Sequence, residues 1–215
     1  MSETPPDGRP PQGLTTARVT ALVDGVFAIV LTLLVLDLHA PTATSRAELA
    51  ARLRDLAPSM VAYLVSFVVL GIFWYGHHME MHWIVRSDRV HLGITLAFLL
   101  TISFVPFSAA LLGQNQRLPL ASAVYAANMC AVGAMRYIHW IYATHGFRLT
   151  APDQPLGQIR YVRRVFMLVP LLYLVAGAVA WLSPPVAIAC FVLIPMAYLA
   201  PSRDTRHLTS MPRRT

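Results

Sequence analysis

The chain has 215 residues, of which 56% are hydrophobic and only 13% charged, about half the ~25% charged content of a soluble domain. Its 17 basic residues are all arginine and leave a formal net charge of +7, which in a soluble protein would point to nucleic acid. In so apolar a chain the arginines are read by their position relative to lipid, so no nucleic-acid partner is expected and the class is all-α integral membrane protein.

Residues 1–15 open with the polar, proline-rich MSETPPDGRPPQG and are expected to be a disordered tail. Apolar stretches near the ~20 residues that cross a bilayer then fall at 18–38, 57–77, 91–112, 119–142, 164–182 and 185–201. These predict six transmembrane helices in one domain over 16–201, with a basic tail at 202–215. The stretch PTATSRAELAARLRD after the first helix holds a short amphipathic piece, GQNQRLP joins the third helix to the fourth, and SPP makes a tight turn between the fifth and sixth. Cys130 and Cys190 lie inside apolar stretches without a CxxC pattern and read as small apolar residues.

On alternate sides of such a bundle, Arg9, Arg18, Arg86, Arg89, Arg148, Arg160, Arg163, Arg164, Arg203, Arg206, Arg213 and Arg214 share one face. Only Arg46, Arg52, Arg54 and Arg117 fall on the other. The positive-inside rule then makes both termini cytoplasmic, in a multi-pass protein of the cytoplasmic membrane.

The first helix, RVTALVDGVFAIVLTLLVLDL, carries charges where lipid would exclude them. An ionised group on a spanning helix costs several kcal/mol unless it faces protein or water, so Arg18 and Asp24 read as protein-facing. At 100° per residue, Arg18, Leu22, Gly25, Ile29, Thr32 and Leu36 form one stripe with alternating steps of four and three, the spacing of a seam that meets copies of itself. Asp24 points about 120° away, toward neighbouring helices of its own chain. A stripe of this kind around a symmetry axis would form a hydrophobic constriction with a threonine ring beside it. The same periodicity serves a face that meets lipid or packs the bundle, and periodicity alone does not choose.

Asp24, the His77 and His78 pair, His91, Arg136, His139 and Trp140 fall at similar depth, which predicts a buried polar network in which Asp24 accepts hydrogen bonds. In WYGHHMEMHW, His78 and His82 have metal-ligand spacing, but Glu80 points off their face of a helix, so no metal site is expected there. Haem between His77 and His139 lacks an attachment motif such as CxxCH. With no GxSxG, HExxH, Walker A or dinucleotide fingerprint, the chain is not expected to be an enzyme or to hold a cofactor.

The run Arg18, Leu22-Val23-Asp24-Gly25-Val26-Phe27-Ala28-Ile29 and Thr32-Leu33-Leu34-Val35-Leu36, followed by Phe73, Trp74, His77 and His78, resembles the transmembrane protein 175 family of potassium channels. Leu22-Val23 stands where that family has Phe-Ser. The resemblance implies a single six-helix unit of bacterial type, assembled as a homotetramer with helix one lining a central pore, without the TVGYG filter of ordinary potassium channels. It implies Ile29 as the constriction, Leu33 and Leu36 as further apolar rings, Thr32 beside them, and Arg18, Asp24, Trp74, His77 and His78 as a supporting polar network. The expected function is passive conduction of potassium, modestly preferred over sodium. The rival reading is a proton-coupled transporter that uses Asp24 and the nearby histidines as a relay.

Overall fold

A computed structural model describes residues 15–199; the tails expected at the two ends lie outside the described residues, but for Thr15. Among the described residues seven α-helices follow one another: α1 (Thr16–Leu33), α2 (Arg46–Met81), α3 (Arg89–Ser103), α4 (Val105–Gln114), α5 (Pro119–Thr144), α6 (Leu156–Val179) and α7 (Pro184–Leu199). Helices α3 and α4 are two halves of the third apolar stretch. They part at Phe104 because Pro106 has no N–H to donate and its ring crowds the carbonyl four residues back.

Four of the resulting elements are both long and apolar enough to cross a membrane: Thr16–Asp37, Arg46–Met81, Arg89–Gln114 and Leu156–Val179. The other two differ in instructive ways. α7 is apolar but short, whereas α5 has 26 residues and carries Ser122, Asn128, Arg136 and His139, all buried. It needs no apolar exterior because α3, α4, α6 and α7 pack around it.

Two boundaries differ from the hydropathy reading. The amphipathic piece expected in the first loop is the opening of α2, which starts at Arg46. Ser45 caps it by accepting from the Glu48 amide at 3.2 Å, Glu48 takes the Thr44 amide and hydroxyl in return, and Arg52 pairs with Glu48 at 2.7 Å. Those local bonds hold a helix that burial alone would not. Pro58 lies inside α2, and the Gln116 side chain donates to its carbonyl at 2.9 Å. Likewise α6 starts at Leu156 rather than near 164, since its first turns carry the exposed Arg160, Arg163 and Arg164. Hydropathy finds where lipid is met, not where a helix begins.

The closest helix pair is α5 on α6. A Cβ on Gly133 would stand 3.0 Å from Pro170 Cδ, and one on Gly177 would stand 2.7 Å from Ala126 Cβ. Small residues let two backbones approach where lipid offers no hydrophobic drive for association. Gly133 thus faces Pro170, the proline inside α6.

The α2–α3 and α5–α6 loops meet at one end of the bundle. Ile84 and Thr150 form an isolated β-bridge, and the Arg86 guanidinium donates to the Arg148 and Phe147 carbonyls at 2.6 and 3.2 Å. Asp88 knits the same end together: it caps α3 by accepting from the His91 amide at 2.8 Å, and it accepts from the Tyr142 hydroxyl at 2.7 Å. Partial burial pushes the Asp88 carboxyl upward, but the His91 amide, the Tyr142 hydroxyl and Arg148 outweigh it and hold the group below the usual aspartate range.

Two stability predictions follow from this packing. Gly177→Leu forces α5 and α6 apart and should cost ~1–3 kcal/mol, read as a lowered melting temperature in detergent, whereas Gly93→Ala, with open space around its Cβ, should be neutral or stabilising. Asp88→Ala should cost ~1 kcal/mol as a lost cap. Because the native carboxyl is held below its unfolded value, its contribution is present above the unfolded pKa and disappears as pH falls through the folded one. The melting-temperature difference between wild type and Asp88→Ala should therefore shrink on acidification.

Candidate functional site: the first helix and its polar contacts

Helix α1 has two unlike sides. Val19, Val23, Phe27, Val30 and Leu34 are buried against the rest of the chain, with Phe27 tilted against Phe98 of α3. The stripe Arg18, Leu22, Gly25, Ile29, Thr32 and Leu36 is exposed along its whole length; Ile29 is 61% and Leu36 67% exposed, and Leu33 lies beside them at 41%. No other element of the described chain covers it.

The helix is not uniform to its end. After Leu33 it tightens into a 3₁₀ turn over Leu34–Asp37, which advances each residue ~20° more than α geometry does. Leu36 is therefore carried about 60° beyond the place a continuous α-helix would give it. The Thr32 hydroxyl donates to the Ile29 carbonyl at 2.7 Å, so its proton is engaged within the helix while its oxygen remains on the exposed side.

Asp24, half-buried, accepts a hydrogen bond of 2.8 Å from Trp74 Nε1 on α2. The Trp74 ring stacks on His78, 5.8 Å between centroids, and His78 meets His82 edge-on at 4.8 Å. Arg18 is exposed and forms no ion pair with Asp24.

The remaining polar groups do not join this chain, and the single network expected from depth resolves into two. His77 faces the opposite way from His78 and is buried, stacked on Phe98 and 5.5 Å from His139 of α5. His139 Nδ1 lies 2.8 Å from Glu80 Oε1, Arg136 Nε is 3.6 Å from Glu80 Oε2, and the Arg136 guanidinium sits over the Phe166 ring at 4.2 Å. His91 packs on His139, 4.5 Å between centroids, and its Nδ1 is 2.8 Å from Ser87 Oγ. Glu80 is thus the centre of the buried set, a role that the sequence pattern did not give it. The available signal was the i, i+3 spacing of His77 and Glu80, which shares a helix face.

Fold and site together define a multi-pass helical membrane protein whose first helix keeps one mostly apolar stripe uncovered. A family described as endosomal/lysosomal potassium channel TMEM175 matches residues 18–106, from α1 to the break between α3 and α4. A potassium channel of Streptomyces collinus is 34% identical over 187 residues, 85% of this chain and 91% of its own. The crystal structure of a lysosomal potassium-selective channel TMEM175 homolog from Chamaesiphon minutus superposes with a TM-score of 0.77 at 28% identity, covering 86% of this chain and 96% of that one. A relative from Danio rerio, 37% identical over 89 residues, 38% of this chain and 17% of its own, is named an endosomal/lysosomal proton channel. The chain belongs to the TMEM175 potassium channel family. With several helices long and apolar enough to cross a bilayer, it is a multi-pass protein of the cytoplasmic membrane.

Trp74→Phe keeps the ring and removes the donor to Asp24. It should destabilise the docking of α1 on α2 by ~1.5–3 kcal/mol, the range for a hydrogen bond to a charged group, read as a lower melting temperature in detergent. In an Asp24→Asn background the same change should cost less, which a double-mutant cycle measures.

Proposed function

We propose that the chain conducts potassium passively, in modest preference to sodium, as a homotetramer in which α1 surrounds the central pore and both termini are cytoplasmic. The observation that carries this reading is the uncovered stripe of α1. It runs the length of the helix, is apolar at Leu22, Ile29, Leu33 and Leu36, and repeats with the three-and-four spacing by which helices meet their own copies. Thr32 and Gly25, one polar and one small, lie in line with it.

In the proposed assembly Ile29 is the narrowest ring, Leu33 and Leu36 are further apolar layers, and Thr32 lies beside them. A ring of isoleucine offers no coordinating oxygen, so an ion passes it partly dehydrated and the more weakly hydrated potassium is favoured. The engaged proton of the Thr32 hydroxyl leaves oxygen lone pairs to face the axis and replace part of the lost hydration. The contact of Asp24 with Trp74 holds α1 in rotation so that Ile29 points to the axis, and Arg18 and His78 complete the collar around it. The arginine-bearing loops at one end of the bundle support the cytoplasmic assignment of that end.

Flux from liposomes tests the reading. Potassium efflux should exceed sodium efflux and need no proton gradient; Ile29→Asn should raise the rate several-fold and bring the two ions toward equality. Unchanged flux in Ile29→Asn would remove this residue from the pore. Flux that requires a proton gradient, and is lost in Asp24→Asn, would favour the proton-coupled transporter instead.

A further inference from the structure

The conduction reading makes no use of the buried histidine and carboxylate set between α2 and α5. His77, Glu80 and His139 are 2, 3 and 2% exposed, and each presents a ligating atom within 4.8 Å of the other two. His77 Nε2, His91 Nε2, His139 Nε2 and Glu80 Oε2 are all buried without a hydrogen-bond partner. Buried polar atoms are almost always satisfied, and each unsatisfied one costs ~1–3 kcal/mol. Glu80 Oε2 is offset by the Arg136 guanidinium 3.6 Å away; the three imidazole nitrogens are left, and two of those rings share one cluster with Glu80.

We propose that His77, Glu80 and His139 form a binding site for a divalent first-row transition-metal ion such as Zn²⁺. Two imidazoles and one carboxylate are the donor set such ions prefer, and too nitrogen-rich for Mg²⁺ or Ca²⁺. His77 and Glu80, three apart on α2, share a face, and His139 meets them from α5. Ligands held ~2.0–2.1 Å from a tetrahedral ion stand ~3.3 Å apart. The 2.8 Å separation of His139 Nδ1 and Glu80 Oε1 is already near this, with the ion replacing the proton between them. The widest separation must close by about 1.5 Å, within the reach of side-chain rotation.

The surroundings fit a bound cation. His91 Nδ1 is engaged with Ser87 Oγ, which leaves Nε2 as its free donor, the arrangement that orients metal-ligating histidines. Arg136 beside Glu80 Oε2 lowers the affinity for a dication. A cavity of about 250 Å³ among α2, α5 and α6, lined by Tyr75, Met79, Glu80, Arg136, Trp140 and Phe166, reaches Glu80. The His78 and His82 pair lies on the other, exposed side of α2 and is the competitor that the test must remove.

The full chain, purified without a polyhistidine tag and carrying His78→Ala and His82→Ala, is titrated with Zn²⁺ by calorimetry and loaded for X-ray absorption. We expect one ion per chain, a first shell of nitrogen and oxygen at ~2.0–2.1 Å with at least two imidazoles, and a raised melting temperature. His139→Gln in that background should weaken binding by at least ~10–100-fold, the loss that follows even from removing a supporting partner. The double variant alone decides the matter if His139→Gln does not fold. Absence of binding, a shell without imidazole, or binding lost with His78 and His82 overturns the site.

Discussion

The arrangement depends on where α5 can be put. A helix with Asn128, Arg136 and His139 along it cannot face hydrocarbon without a cost of several kcal/mol for each ionisable group, so it is enclosed, and the other helices are ordered by what they cover. α6 lies along it through Gly133 and Gly177, α2 supplies the carboxylate of Glu80 to His139 and Arg136, and Asn128 donates to Ser108 of α4 at 3.0 Å. With the centre of the bundle taken, α1 is held at the edge. One of its sides is buried on α3 and α2, and the other meets no other element of the described chain.

Most of the helical plan could be read from the sequence, since lipid-length apolar runs are a strong signal. What could not be read has physical reasons. The start of α2 is fixed by Ser45, Glu48 and Arg52, which act through local capping and pairing that an apolar average hides. The start of α6 is hidden by three arginines that belong to the helix yet lie outside its apolar run. Pro106 marks the break at Phe104, but nothing local shows that both halves still follow one path.

The polar groups were legible in kind and not in grouping. Depth places Asp24, His77, His78, His91 and His139 at one level, and depth is blind to direction around each helix. His77 and His78 are consecutive, and a 100° turn sends them apart: one into the core against Phe98, the other onto Trp74. Glu80 was assigned by exclusion from the His78 and His82 face, which is correct as geometry and stops short of asking what that other face meets. The exposed stripe of α1, by contrast, is a property of one helix alone, and a wheel drawn on the sequence contains it as far as Leu33.

At ~1.5 Å per residue, the 36 residues of α2 span about 54 Å, well beyond the ~30 Å of hydrocarbon. The surplus lies mainly at the capped start, outward of Pro58, where the carbonyl of Arg54 has no amide to receive. Mechanically the helix is a stiff inner rod joined to an outer stub through a compliant joint. With one rung of its ladder missing, this joint is where α2 bends at least cost.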